Sequence, residues 1–303
     1  MYNMKIDKQN GNVCFNNENH CYWNVDDNEK YISVTTLIHQ FTQPFDKNFW
    51  SAYKALEKLI PKDNWAVEKK SLLSSKKFDK SILDLYDISE TEFNKIQQGI
   101  LDDWDNENRK SCERGTKIHE EIEHSFYKEA HDISLQKFGI GGKFECKKDY
   151  SELDLEYGVY PEYLIYRESE DGILRIAGQV DLIVKSGNEI TICDWKTNKK
   201  IDQKSFYNTK TRSSAKMKYP LNNLDDVNFY HYTMQLSTYA WMLQKINPNF
   251  IIKDLILVHF DHNDKQTVYH CEYLKSEVEK MLYFYKKQII LEKQKEKRKR
   301  IEY

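Results

Sequence analysis

The chain has 303 residues, 40% hydrophobic and 31% charged, with a formal net charge of -2 and a mean hydropathy of -0.80. That balance is too apolar for a disordered chain and too even in sign to name a partner by charge alone. The start, Met1 to Gly11, lacks the apolar stretch of a secretory signal, and no later run reaches the ~20 apolar residues of a membrane helix, so an intracellular protein with no membrane partner is expected. The six cysteines, at 14, 21, 112, 146, 193 and 271, form no C-x-x-C pair, which favours reduced thiols over a disulfide framework or a zinc site.

A short β-prone run from Tyr31 to Val34 leads into Thr35-Thr36, hydroxyl residues suited to cap a helix from about Leu37. Lys47 to Leu59 reads as a second helix, closed by Pro61. Residues 62–106 mix Lys, Ser, Asp and Glu with sparse apolar positions and read as short helices and loops, so residues 1–105 are taken as a mainly helical region packing on a core of residues 106–303. A helix over Asn106 to Ala130 places Ile118, Ile122 and Phe126 on one stripe, with His119 and Glu123 on a neighbouring face. Three β-prone runs follow, Val159 to Tyr166, Ile173 to Val184 and Ile190 to Trp195. The turns between them, Ser169-Glu-Asp-Gly172 and Ser186-Gly-Asn188, are short enough to specify an antiparallel meander. A helix from Phe229 to Lys245, strands at Leu255 to Phe260 and Thr267 to Tyr273, and a C-terminal helix from Lys275 complete an α-β-β-β-α-β-β-α core of the α/β (α+β) class.

Asp181 follows Gly178 in the second run of the meander, and Asp194-Trp195-Lys196 ends the third. Alternate strand residues share a face, so Asp194 and Lys196 project together while Trp195 enters the opposite layer. Two converging carboxylates make a hard oxygen site suited to Mg2+ or Mn2+, and a lysine beside them faces the position of a reacting phosphate. An Asp-x-Lys pair on a strand is also a common surface ion pair worth ~0–1 kcal/mol, so its company decides its meaning. That company is Arg114-Gly115-Thr116-x-x-His119-x-x-x-Glu123 upstream, Gly178-x-x-Asp181, and Gln235-x-x-x-Tyr239 downstream.

In this set and order the chain resembles the PD-(D/E)XK nuclease superfamily, in its RecB-like branch. Ser33-Val34-Thr35-Thr36-Leu37, Gly115-Thr116-Lys117-Ile118-His119-Glu120, Cys193-Asp194-Trp195-Lys196-Thr197 and Gln235-Leu236-Ser237-Thr238-Tyr239 are similar to segments of the mitochondrial genome maintenance exonuclease and related phage and viral exonucleases. The resemblance implies a restriction-endonuclease-like core, a central mixed β-sheet flanked by helices with an N-terminal mainly helical extension. It implies a Mg2+-dependent deoxyribonuclease, with Mn2+ able to substitute. Asp181, Asp194, His119 and the Trp195 backbone carbonyl would ligate metal, and Lys196 would be the catalytic lysine with Asp181 and Asp194. Glu162, after Pro161 in the first strand of the meander, is either a further metal ligand or an edge-strand residue facing solvent. Glu123 would orient His119, or is a solvated helix residue.

Gln235 and Tyr239 lie on one helix face, which the resemblance sets against the substrate backbone together with Arg114, Thr197, Lys199 and Lys200; a core tyrosine is the alternative for Tyr239. Lys204, Lys210, Arg212, Lys216 and Lys218, interleaved with Phe206, Tyr207 and Tyr219, read as a local basic surface for DNA. Some relatives hold an iron–sulfur cluster with three cysteines near the C-terminus, whereas here Cys271 alone lies beyond Cys193, so no cluster is expected; nor is ATP, for want of a G-x-x-x-x-G-K-[ST] loop. The expected partner is DNA with single-stranded or free ends, with RNA left open. A structure-specific or restriction-type endonuclease is the alternative activity. A catalytically inactive nucleic-acid-binding module is the alternative class, disfavoured because Asp181, Asp194 and Lys196 are all competent residue types.

Overall fold

Four short strands open the chain: β1 (Lys8–Asn10), β2 (Val13–Asn16), β3 (Cys21–Asn24) and β4 (Lys30–Ser33). The first pair turns at Gly11, whose φ of +52° suits glycine and which abuts the Tyr166 hydroxyl too closely for a side chain. Next come α1 (Val34–His39), α2 (Lys47–Leu59), α3 (Lys62–Ser75), α4 (Ser81–Leu85) and the long α5 (Glu90–Glu129). A small hairpin of β5 (Ile133–Ser134) and β6 (Lys143–Phe144) precedes β7 (Gly158–Glu168), β8 (Arg175–Ser186) and β9 (Glu189–Lys196). The remainder is β10 (Tyr207–Asn208), β11 (Ser213–Ser214), α6 (Asn228–Ile246), β12 (Ile251–Phe260), β13 (Gln266–Cys271) and α7 (Lys275–Ile301). This computed structural model describes residues 5–147, 155–208 and 213–301.

The first third is less helical than its composition implied, because β1–β4 join the main sheet. Helix α1 is capped by Ser33, whose Oγ accepts the Thr36 N–H at 3.0 Å, instead of by Thr35 or Thr36. Helix α2 has the expected bounds, with Asp46 accepting the Phe49 N–H at its start. Helix α5 begins at Glu90, not near Asn106.

The chain forms two compact units, residues 44–116 and residues 1–43 with 117–303. The smaller is a helical unit around Phe49, Tyr53, Leu56, Leu72, Leu83 and Phe93. The larger holds the sheet. Among the described residues it has nine strands in the order β1-β2-β3-β4-β8-β9-β12-β13, with β7 on β8. The expected meander is present, β7–β8 and β8–β9 being antiparallel, while β9–β12 is parallel. This is a mixed α/β fold with a central mixed sheet flanked by helices.

Strand β8 organises this sheet. One of its edges is taken by β7 along its length, so β4 and β9 must share the other. Strand β4 pairs at Ile176 and Ala177, and β9 pairs from Leu182 to Ser186. Gly178 to Asp181 therefore lie at the fork where one partner leaves and the other arrives. A large apolar cluster covers one sheet face, with Ile183, Ile192 and Leu257 under Leu236, Ala240 and Met281 of the C-terminal helices. A second covers the other face, where Trp195, 1% exposed, packs with Phe126 and Phe138. Trp195 and Asp194 thus alternate across β9 as the strand period requires.

Candidate active site

At the fork the β8–β9 ladder is replaced by a side-chain bond. The last paired residues are Leu182 and Cys193, and beyond them the Trp195 N–H donates to Asp181 Oδ2 at 2.6 Å. Asp181 thereby satisfies a backbone donor that the parting strands leave behind, and its other oxygen faces His119 on α5, 3.7 Å from Nδ1. Glu162 of β7 stands opposite Asp181, between the pairs Pro161–Leu182 and Tyr163–Val180, with a left-handed φ of +51°. A non-glycine residue in that conformation is strained, and such strain is concentrated where side chains are aimed for function. Here it turns Glu162 towards the cluster, with Oε1 3.6 Å from His119 Nδ1. The other imidazole nitrogen, Nε2, is 3.1 Å from the Trp195 carbonyl oxygen.

Lys196 ends β9 on the Asp194 side, where its Nζ is 2.5 Å from Asp194 Oδ2 and 4.9 Å from the centre of the Tyr232 ring. Asp194 is 1% exposed, and its Oδ1 accepts the Gln235 amide at 3.0 Å. Gln235 also donates to the Tyr239 hydroxyl at 3.3 Å. Both residues are buried, and this chain of bonds holds Asp194 in place. The Tyr239 ring lies flush against Gly178: a Cβ there would be 2.6 Å from Cε1 and 2.9 Å from the hydroxyl. Gly178→Ala is expected to cost ~1–3 kcal/mol of stability by overpacking, measurable by thermal unfolding.

The electrostatics are those of a desolvated cluster. Burial opposes a charged His119, but Asp181 and Glu162 outweigh it and raise the imidazole to about 9. Burial pushes Asp181 up, and lifts Asp194 to about 6 against the pull of Lys196. Burial alone would lower the Lys196 ammonium, yet Asp194 and Asp181 raise it, so it is held as a cation. These directions describe a site short of positive charge. Donor atoms of His119, Glu162 and Asp181 all lie within 4.8 Å of one another. Two carboxylates and an imidazole suit a hard or borderline divalent ion such as Mg2+ or Mn2+, which would supply the missing charge.

Three residues near the cluster carry no signal of their own in the sequence. The Gln179 amide donates to Glu162 Oε2, the same oxygen that lies 3.9 Å from the Lys8 ammonium. Buried Tyr22 on β3 sits close enough for Glu162 and Asp181 to add to the effect of burial in raising its phenol. Asn10-Gly11, a hairpin signal before alternating Val13 and Phe15, marks the strands that bring Lys8 and Tyr22 in. Glu123 accepts from the Tyr127 hydroxyl at 3.0 Å and lies 3.6 Å from Lys8.

Lys199 is exposed and Thr197 half-buried, while Lys200 pairs with Asp202 at 2.9 Å and Lys216 with Asp225 at 2.5 Å. Arg114 is half-buried within the 44–116 unit. Lys210 and Arg212 lie outside the described residues.

The model of the PD-(D/E)XK nuclease superfamily matches residues 36–301, nearly the whole chain. This chain belongs to the PD-(D/E)XK nuclease superfamily. Nucleic acid and a divalent metal are that superfamily's usual substrate and cofactor. Two solved structures are similar to this nuclease: SSO0001, over 87% of this chain and 76% of its own, at 15% identity and a TM-score of 0.35; and the "Putative exonuclease" from Eubacterium rectale, over 86% and 80%, at 11% identity and a TM-score of 0.32. No curated protein matches the chain. Among the described residues no helix is long and apolar enough to cross a membrane.

Proposed function

We propose that this nuclease is a metal-dependent DNA exonuclease of the RecB-like branch, hydrolysing phosphodiester bonds at single-stranded ends. The observation that carries the chemistry is the Lys196–Asp194 pair standing beside the His119, Glu162 and Asp181 cluster. Mg2+, with Mn2+ as a substitute, would be held by His119, Asp181, Asp194, Glu162 and the Trp195 carbonyl. Bound there, it would supply a Lewis acid able to activate water and offset charge on the phosphate.

The rest falls to the chain. The Lys196 ammonium donates to the attacking water or to a phosphate oxygen; a lysine whose pKa is raised by two carboxylates acts as cation and donor before it acts as a base. Gln235, from a buried helix face, fixes the Asp194 carboxylate that in turn fixes Lys196. His119, bonded to the Trp195 carbonyl, holds the end of β9 against α5. Thr197, Lys199 and Lys200 serve the phosphate backbone, contacts that position a strand without reading its sequence.

The preference for ends rests on the motif set. It is tested on end-labelled linear and covalently closed circular single strands with Mg2+. Linear strands are expected to shorten progressively and circles to survive. Nicked and degraded circles would replace this reading with the structure-specific or restriction-type endonuclease.

A further inference from the structure

Away from the metal-ligating cluster, α7 carries ten Lys or Arg against four Glu, in a chain whose formal charge is -2. Its first half is packed, but residues 291–299 are exposed throughout, and they include Lys293, Lys295, Lys297, Arg298 and Lys299. Beside the packed half, a groove of about 680 Å³ runs between α7 and the loop before α6, lined by Tyr219, Asn222, Lys280, Tyr283, Phe284 and Lys287. Phe284 forms its inner wall, edge-on to Tyr219 at 5.3 Å. The two tyrosines are 68% and 63% exposed, large flat rings left towards solvent. The Lys287 ammonium sits 4.6 Å from the Tyr283 ring centre, with Tyr219 close enough to help raise its pKa. To one side, Glu277 takes Asn223 at 3.2 Å and Lys280 at 3.8 Å.

We propose that the Tyr219–Tyr283 groove and the basic end of α7 form a second binding surface for single-stranded polynucleotide. The proposal rests on the nucleic-acid reading of this nuclease but not on its catalytic residues. Exposed rings beside ammonium groups are the two halves of single-strand recognition: unstacked bases lie on the rings, and phosphates meet the lysines. A duplex keeps its bases stacked and offers the rings nothing. An acidic peptide would meet the lysines alone.

The test is fluorescence anisotropy of labelled oligothymidylates in chelator, which separates binding from cleavage. Tyr219→Ala/Lys287→Glu is compared with wild type, Tyr219→Phe/Lys287→Glu and the remote charge reversal Lys253→Glu, all checked for equal melting temperatures. On strands of about 30 nucleotides, longer than one ~4–16-nucleotide site, the double variant is expected to lose about tenfold in affinity and to show a shallower salt dependence. Tyr219→Phe/Lys287→Glu should recover part of that loss, and binding of strands of about 5 nucleotides, held at one site, should change less. An unchanged long-strand affinity overturns the proposal. So does an equal loss in Lys253→Glu, equal binding of duplex, displacement by polyglutamate as readily as by oligothymidylate, or no binding by wild type. Cleavage of the short strands, measured separately with Mg2+, reports on the catalytic reading alone: binding without cleavage leaves the surface standing and removes the enzyme.

Discussion

Lys196→Met is expected to lower the cleavage rate at least ~10²-fold, the scale of losing one preorganised charge at a reacting phosphate. It should also weaken the fold, which a purely catalytic residue would not do. Asp194 is 1% exposed and 2.5 Å from the Lys196 ammonium, so the substitution strands a buried carboxylate beside Asp181. Removing one partner of such a pair costs ~3–5 kcal/mol when both are fully buried, and about 1–3 kcal/mol is expected here because the Lys196 side chain is 18% exposed. Adding Asp194→Asn should restore melting temperature without restoring activity. Recovery of stability but not of rate is the signature of a pair whose electrostatics serve hydrolysis first.

Asp181→Asn is expected to abolish cleavage while leaving the metal-free protein as stable as wild type or more so. Burial raises the Asp181 carboxyl on folding, so its ionisation opposes the folded state, and this cost grows as the pH rises above the ordinary carboxylate range. An asparagine keeps an oxygen to accept the Trp195 N–H and removes the repulsion from Glu162 and Asp194. Wild type should gain stability when Mg2+ or Mn2+ is added, by ~2.7 kcal/mol at a hundredfold excess over its dissociation constant, and Asp181→Asn should gain little. Thermal unfolding with and without metal reads both effects. A large loss of metal-free stability in Asp181→Asn would mean that the carboxylate is structural.

Features governed by one short period were legible in the sequence. The stripe of Ile122 and Phe126 on α5, the meander turns and the alternation of Asp194, Trp195 and Lys196 each depend on neighbours a few residues apart, and each appears as expected. Strand β4 coincides with the β-prone run at Tyr31 to Val34, whereas β1–β3, each only three or four residues long, are too short for a period to stand out and become strands by pairing with one another and with β4. Gln235 and Tyr239 were legible as to face only. Their spacing correctly put them on one face of α6, but spacing does not tell whether a face looks at substrate or at a buried carboxylate. Glu162 needed the structure most, since its aim comes from a backbone conformation that no residue pattern encodes.

The most direct measurement is hydrolysis of an end-labelled single-stranded oligonucleotide by wild-type protein stripped with chelator and then titrated with Mg2+ or Mn2+, with Asp181→Asn purified in parallel to exclude a contaminating nuclease. Wild type is expected to leave the strand intact in chelator and to cleave it saturably once either metal is added, whereas Asp181→Asn cleaves at no metal concentration. Cleavage that persists in chelator, or that Asp181→Asn performs as well as wild type, would contradict metal-dependent hydrolysis at this cluster.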